Sequence, residues 1–440
     1  MRVSGVLATA AALAACTVVS GPGLAPPTVP APEGEPLPRA LPAGPVVSPT
    51  SRPPLRFDEV RGLWVVRTTL TSPRAVRRMV DDAASAGFNT LVVQVRGRGD
   101  AFYDSRWEPP GEQLLSPPST FDPLALVIEE AHRRGLAVHA WVNTHLVWDA
   151  WGLPGSPEHM VRRHPDWLAV PRTLARQLFD VDPQDPRFVQ ALIDYAAQRS
   201  ETVEGVYSSP AHPAVKERVY SVWTDLAERY DLDGIHLDYV RFPSGDFDYS
   251  RGALERFRAW VAPRLEVGRL TALDAAYQGD PLAFVDSLPE PWARFRRRQI
   301  TDLVERLYYG VKARRPELVV SAAVFANQED AYLNRFQDWG AWLDRGIIDV
   351  VAPMAYVTET DRFERYVANA VDAARDRERI WAGIGAYLNT AEGTIRQIDI
   401  ARDRGAGGVI LFSYDWAAWE APTLDGRSYL RTVGEERFGR

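Results

Sequence analysis

Between residues 233 and 243 the chain reads Asp-Gly-Ile-His-Leu-Asp-Tyr-Val-Arg-Phe-Pro, an apolar run carrying two carboxylates, a histidine and an arginine. Side chains alternate across a strand, so residues two apart share a face. Ile235, Leu237 and Tyr239 then face surrounding helices, while Gly234, His236 and Asp238 point the other way. The same alternation puts His139, Trp141 and Asn143 opposite Val138, Ala140 and Val142, and sets Gln94 and Arg96 inside a further strand. Polar groups converging inside an apolar sheet cost desolvation unless they serve something. Asp238 ends its strand close to Arg241, where it suits a general acid or a stabiliser of developing positive charge. The structural alternative is a buried aspartate paired with Arg241 or Arg96. His236 either orients that carboxylate, donates to a ligand hydroxyl, or is a satisfied interior histidine.

Were such an acid to act on a glycoside, it would need a second carboxylate, roughly 5–5.5 Å away for retention and 6.5–9.5 Å for inversion. The candidates for the second are Asp415, Asp100, Asp104 and Asp182, each of which also reads as a helix cap or turn residue. Asp415 ranks first because it ends the last strand. Fourteen tryptophans are present, and Trp107, Trp148, Trp151, Trp167, Trp416 and Trp419 fall in presumed strand-to-helix loops, where rings offer stacking surfaces to the CH faces of pyranoses. Tyr356 and Tyr387, at two further strand ends, are placed to donate hydrogen bonds. Arg96, Asn143 and His236 complete the expected ligand-positioning set, with Trp141 and Arg241 beside them. No His-x-x-x-His pair, cysteine cluster or Gly-x-Ser-x-Gly elbow occurs, so neither metal nor serine chemistry is expected, and no cofactor is implied.

These residues must be held by regular elements. Strands are predicted at 62–67, 89–96, 136–143, 234–240, 319–326, 349–356, 380–388 and 407–414. Amphipathic helices alternate with them, at 72–86, 121–134, 214–230, 292–314 and 394–404 among others. Gly87, Gly135, Gly346 and Gly405 mark helix-to-strand turns. Eight strands in strict alternation with helices predict a single (β/α)8 barrel over an open doubly wound sheet. The barrel is expected over 57–436, with long insertions at 144–213 and 244–290, after strands three and four. Both insertions fall on the C-terminal face, where barrel active sites form and where long loops can wall a groove.

Ahead of the barrel, Arg2 and the uncharged run from Gly5 read as a signal peptide over 1–15. Leu13-Ala14-Ala15-Cys16 then looks like a lipobox that leaves the chain's one cysteine, Cys16, lipidated. The alternative is a plain secretory signal with an incidental cysteine. Residues 16–56, rich in Pro, Ala and Gly, cannot bury enough surface to fold and read as a tether. The expected location is therefore the cell envelope, with the membrane reached through the lipid anchor. A net charge of −7 offers no basic surface for nucleic acid.

The 233–243 segment resembles the strand-four signature of the bacterial glycosyl hydrolase-like family 10. So do Gln94-Val-Arg-Gly-Arg-Gly-Asp-Ala-Phe-Tyr103, Ala140-Trp-Val-Asn143, Val351-Ala-Pro-Met-Ala-Tyr356 and the Trp292–Arg298 segment, together covering about Val60 to Tyr414. The resemblance implies a TIM-barrel glycosidase, often a lipoprotein, with some relatives acting on peptidoglycan glycan strands. Chitinases of glycosidase family 18 carry Asp-Gly-x-Asp-x-Asp-x-Glu in strand four. Asp233 and Asp238 match two of those acids, whereas His236 and Val240 replace the others. The expected function is hydrolysis of an envelope or extracellular polysaccharide, peptidoglycan glycan first. The alternatives are a secreted exopolysaccharide as substrate, or a lipoprotein that binds glycan without cutting it.

Overall fold

A computed structural model describes residues 54–114, 121–418 and 428–439. Cys16, nearly all of the expected tether and Trp419 lie outside the described residues. The eight predicted strands form one closed, parallel barrel: Val60–Val65, Thr90–Arg96, Ala137–Asn143, Gly234–Asp238, Val319–Phe325, Val350–Met354, Trp381–Gly385 and Gly408–Phe412, here strands one to eight. Strand one pairs with both strand two and strand eight, which closes the ring. The predicted ends overshoot by up to three residues, as at 385–388 and 412–414, because the chain turns into loops as soon as it reaches the rim.

The alternation in strands three and four is as expected. Leu237, Ile235, Val138, Ala140 and Val142 join the large core between strands and helices. Inside the barrel a separate cluster gathers Val60, Trp64, Val92, Trp141, Trp381 and Ile410. The helices that cover the outside start where capping chemistry places them. Pro73–Ser85 and Pro123–His132 each begin with proline, and the Ser72 and Asp122 side chains accept the first free backbone N–H groups.

One expectation about facing needs correction. A bulge at Val95 breaks the pairing of strand two with strand three, so that Gln94 opposes Trp141 but Arg96 opposes Val142. One extra residue reverses a strand's facing. Arg96 therefore leaves the interior and, 1% exposed, pairs with Glu108 through Nε and Nη2 at 3.2 and 3.0 Å. Its Nη1 donates to the Asn143 and Thr144 carbonyls, so the residue fastens loops rather than facing a ligand. Tyr239 lies beyond the end of strand four with φ of +50°, a left-handed turn that is uncommon outside glycine, and packs against the same large core as Ile235 and Leu237.

Both insertions build structure on the C-terminal side. The first contains helices Arg172–Leu178 and Pro186–Gln198 and an antiparallel ribbon of Leu146–Trp148 with Val206–Tyr207. The second contains Arg251–Val261 and Val267–Tyr277, packed around Phe257, Phe284, Trp292 and Phe295. Removing the carboxylate of the buried Arg96–Glu108 pair leaves a guanidinium uncompensated. Glu108→Gln is expected to cost about 3–5 kcal/mol of stability, read as a lowered urea midpoint; a loss under about 1 kcal/mol would show the pair is not structural.

Candidate active site

Asp238 occupies the last position of strand four, directly beside Asn143 at the end of strand three. Its Oδ1 accepts the Tyr239 backbone N–H at 2.6 Å, and Oδ2 accepts the Trp141 indole N–H at 3.1 Å. The same indole reaches Asn143 Oδ1 at 2.9 Å, while the Asn143 amide donates to the Gly97 carbonyl at 2.8 Å. Asn143 thus fixes the ring that fixes the carboxylate. Asp238 is 7% exposed, and burial pushes its carboxyl up to about 6, although the Arg241 charge and both hydrogen bonds favour the ionised form. A carboxyl with that affinity holds its proton in mildly acidic conditions and releases it near neutrality, as a general acid requires.

Aromatic rings cluster beside this carboxyl. Tyr356 stacks on Phe412 with centroids 5.6 Å apart, Tyr387 meets both rings edge-on at 6.0 Å, and Trp141 meets Phe412 at 6.2 Å. Burial, and then the nearby Asp238 charge, holds the Tyr356 hydroxyl protonated well above its ordinary range. That hydroxyl is a donor at every pH of interest. Tyr356, Tyr387 and Phe412 are each partly exposed, and ring surface beside a carboxyl suits the CH faces of a pyranose.

His236 lies deeper than expected for a ligand contact. It is fully buried, its Nε2 accepts the Trp64 indole N–H at 3.3 Å, and its Nδ1 bonds the Ser321 hydroxyl at 2.8 Å. Burial lowers it to about 3, so it stays neutral and supports the floor. Asp233 stands at the opposite end of the strand, accepting from Leu55 N at 2.6 Å and Val138 N at 2.9 Å.

The expected second carboxylates are spent on loops. Asp415 accepts Val66 N at 2.7 Å and the hydroxyls of Thr68 and Thr69, tying strand eight's end to the loop after strand one. Asp100 accepts Gly97 N at 3.3 Å and Arg98 N at 2.8 Å; Asp104 pairs with Arg229 at 2.6 Å; Asp182 caps a turn at Gln184 N. Most loop tryptophans pack rather than present a face: Trp148 and Trp167 are buried, Trp107 and Trp416 partly so, and Trp151 alone of those described is open, at 81%.

The structure brings in a carboxylate that sequence reasoning missed. Glu204 Oε1 meets Arg241 Nη2 at 3.3 Å, and Oε2 accepts the Tyr207 hydroxyl at 2.5 Å, while 38% of the side chain stays open. Burial works against its charge, but Arg241 and Tyr207 outweigh it and hold the group below the ordinary glutamate range. Its negative charge in turn helps raise Asp238. Glu204 sits in a polar stretch with no periodicity, and only the Leu146–Trp148 ribbon returns it to the rim. Gly205 permits that return: a Cβ there would stand 2.0 Å from the Trp148 carbonyl oxygen. That glycine was the one available signal. Among the described residues, no three His, Cys, Asp or Glu side chains gather as metal ligands would.

The raised Asp238 carboxyl carries a stability consequence. The folded state binds a proton that the unfolded chain has already released, so stability falls as pH rises from about 4 and levels off above about 6. Over that window wild type is expected to lose about 3 kcal/mol that Asp238→Asn does not lose. Urea titrations of both proteins across the range check it, and parallel curves would contradict the assignment.

The model of the Glycosyl hydrolase-like 10 family matches residues 59–388. Glycosyl hydrolase DigH of Escherichia coli K12 is 22% identical over 392 residues, covering 77% of this chain and 76% of its own. Glycosyl hydrolase YngK of Bacillus subtilis is 24% identical over 304 residues, 63% of this chain, and the match spans about half of YngK (48%). Among solved structures, the PgaB glycoside hydrolase domain of Bordetella bronchiseptica superposes with a TM-score of 0.57 at 18% identity, covering 82% of this chain and 95% of that domain. A β-galactosidase of Bacillus circulans sp. alkalophilus gives 0.53 at 14%, covering 86% and 55%. Both likenesses are of fold. The chain belongs to the Glycosyl hydrolase-like 10 family, on a closed (β/α)8 barrel.

Proposed function

We propose that this protein is a glycoside hydrolase acting on a polysaccharide of the cell envelope, peptidoglycan glycan strands first, with Asp238 as the general acid. The observation that carries the reading is the buried carboxyl at the end of strand four, raised to about 6 beside a cluster of aromatic rings. In the proposed step the Asp238 carboxyl gives its proton to the glycosidic oxygen as the bond to the anomeric carbon breaks. Glu204, kept ionised by Arg241, serves as the opposing carboxylate, activating water or attacking the anomeric carbon. Tyr356, Tyr387 and Trp141 position the ring, and Asn143 acts through Trp141. Arg241 is a positioning residue that orders the two acids.

The lipobox reading of Cys16 and the tether ahead of the barrel support placement at the envelope, on a lipid anchor; labelled palmitate that incorporates into wild type but not into Cys16→Ala is the expected result. Substrate is tested by mass spectrometry of products released from purified sacculi, intact and amidase-stripped, by wild type, Asp238→Asn and Glu204→Gln. Wild type is expected to release saccharide ladders, and each variant to fall by about 100-fold or more. Equal release by wild type and Asp238→Asn would remove Asp238 from the chemistry. Product from an exopolysaccharide but not from sacculi would reassign the substrate, and binding without product from any glycan would make the protein a glycan-binding lipoprotein.

A further inference from the structure

Two arginines at the rim are not explained by the proposed acid chemistry. Arg67 leaves the end of strand one and Arg98 the end of strand two, and both stand within electrostatic reach of Tyr239, the neighbour of Asp238. The Arg67 side chain is 16% exposed. It donates through Nη1 to Gln94 Oε1 at 3.1 Å, but its Nε is shielded from solvent and has no hydrogen-bond partner. The Arg98 Nε is shielded and unpartnered in the same way, and its Nη1 makes only a long contact, 3.4 Å, with the Gly97 carbonyl.

Asp100 answers Arg67 as a long ion pair and not as a hydrogen bond. Asp100 Oδ2 lies 4.0 Å from Arg67 Nε, too far for a hydrogen bond, and Asp100 Oδ1 is taken by the backbone N–H groups of Gly97 and Arg98. Asp149 adds a weaker opposing charge. The two guanidiniums also repel one another, and Arg67 is held below its ordinary range first by burial and then by Arg98. Gly97 allows the crowding: a Cβ there would lie 2.5 Å from Arg67 Cδ and 2.8 Å from Nε. Two neighbouring guanidinium charges, each with a shielded Nε that lacks an acceptor, are costly in a folded protein, and an anion reaching both offsets that cost.

We propose that Arg67 and Arg98 form a carboxylate-binding subsite, so that the sugar bound next to Asp238 carries an acid group. The proposal rests on the glycosidase reading for the site's purpose but not for its test. Asp100 and Asp149 already offset part of the local charge, which favours a monoanion over a dianionic phosphate. A ring carboxylate and an ether-linked lactyl carboxylate share this chemistry and differ in reach from the ring.

Isothermal titration calorimetry of the full-length wild-type protein with D-glucuronic acid, N-acetylmuramic acid, D-glucose and N-acetylglucosamine tests it without any turnover. At least one acid sugar is expected to bind about tenfold more tightly than its neutral counterpart, with the advantage lost in Arg67→Gln and in Arg98→Gln. The advantage is also expected to shrink as salt rises, while neutral-sugar binding stays constant. Which acid sugar gains tells the ring carboxylate from the lactyl one. If Arg67→Gln does not fold, Arg98→Gln and the salt series on wild type decide. Equal affinity for acid and neutral sugars, no measurable binding of either, or a preference that the folded variants keep overturns the proposal. Hydrolysis of a neutral glycan without such a preference would leave the glycosidase reading standing and remove only this subsite.

Discussion

The site depends on the burial of one carboxyl at the rim of the barrel. An ionised carboxylate loses several kcal/mol of hydration on leaving water, and only hydrogen bonds and opposite charge can return it. Here the return is partial. Trp141 and the Tyr239 backbone each offer a donor and Arg241 offers charge, yet burial still governs, and Asp238 keeps its proton to about 6. Stronger compensation would have made it an ordinary ion pair, and weaker compensation would have held it neutral throughout. The register of strands three and four, which sets Asn143 beside Asp238, and the left-handed turn at Tyr239 both serve this balance.

Arg241 links that carboxyl to a second one held in the opposite sense. Arg241 is 4% exposed, lies over the Tyr239 ring at 4.2 Å and over Phe325 at 5.1 Å, and meets Glu204 at 3.3 Å. One guanidinium therefore stabilises the charged form of an open glutamate while failing to overcome the burial of an aspartate. Two carboxyl groups whose environments push them apart are what acid and base roles need. The division comes from position: Asp238 sits on a strand end under aromatic rings, whereas Glu204 rides a loop at the rim.

Much of this was legible in the residues. Period-two alternation in strands three and four named Trp141, Asn143 and Asp238 and their shared face, because both strands run without interruption between core and interior. Eight apolar segments with helical stretches between them were enough for the barrel. Alternation misplaces Arg96 for a local reason: a bulge at Val95 reverses facing, and no residue pattern announces it. His236 takes the satisfied-interior alternative, since alternation fixes its face but says nothing of how far a layer lies below the rim. Asp415 ends the last strand, yet the loop after strand one takes its oxygens. Glu204 could not be found by periodicity, because a ribbon formed by residues some sixty positions apart in the chain carries it to the site.

The pH dependence of kcat/KM on a soluble glycan tests the central claim most directly, because it reports the ionisation of the free protein's essential groups. With Asp238 as the proton donor, the rate is expected to fall as pH rises through about 6, with a slope of one proton, and Trp141→Phe is expected to move that limb upward by removing a hydrogen bond to the ionised form. A limb that stays near 6 in Asp238→Asn, or a wild-type profile flat from about 5 to 8, would contradict the account.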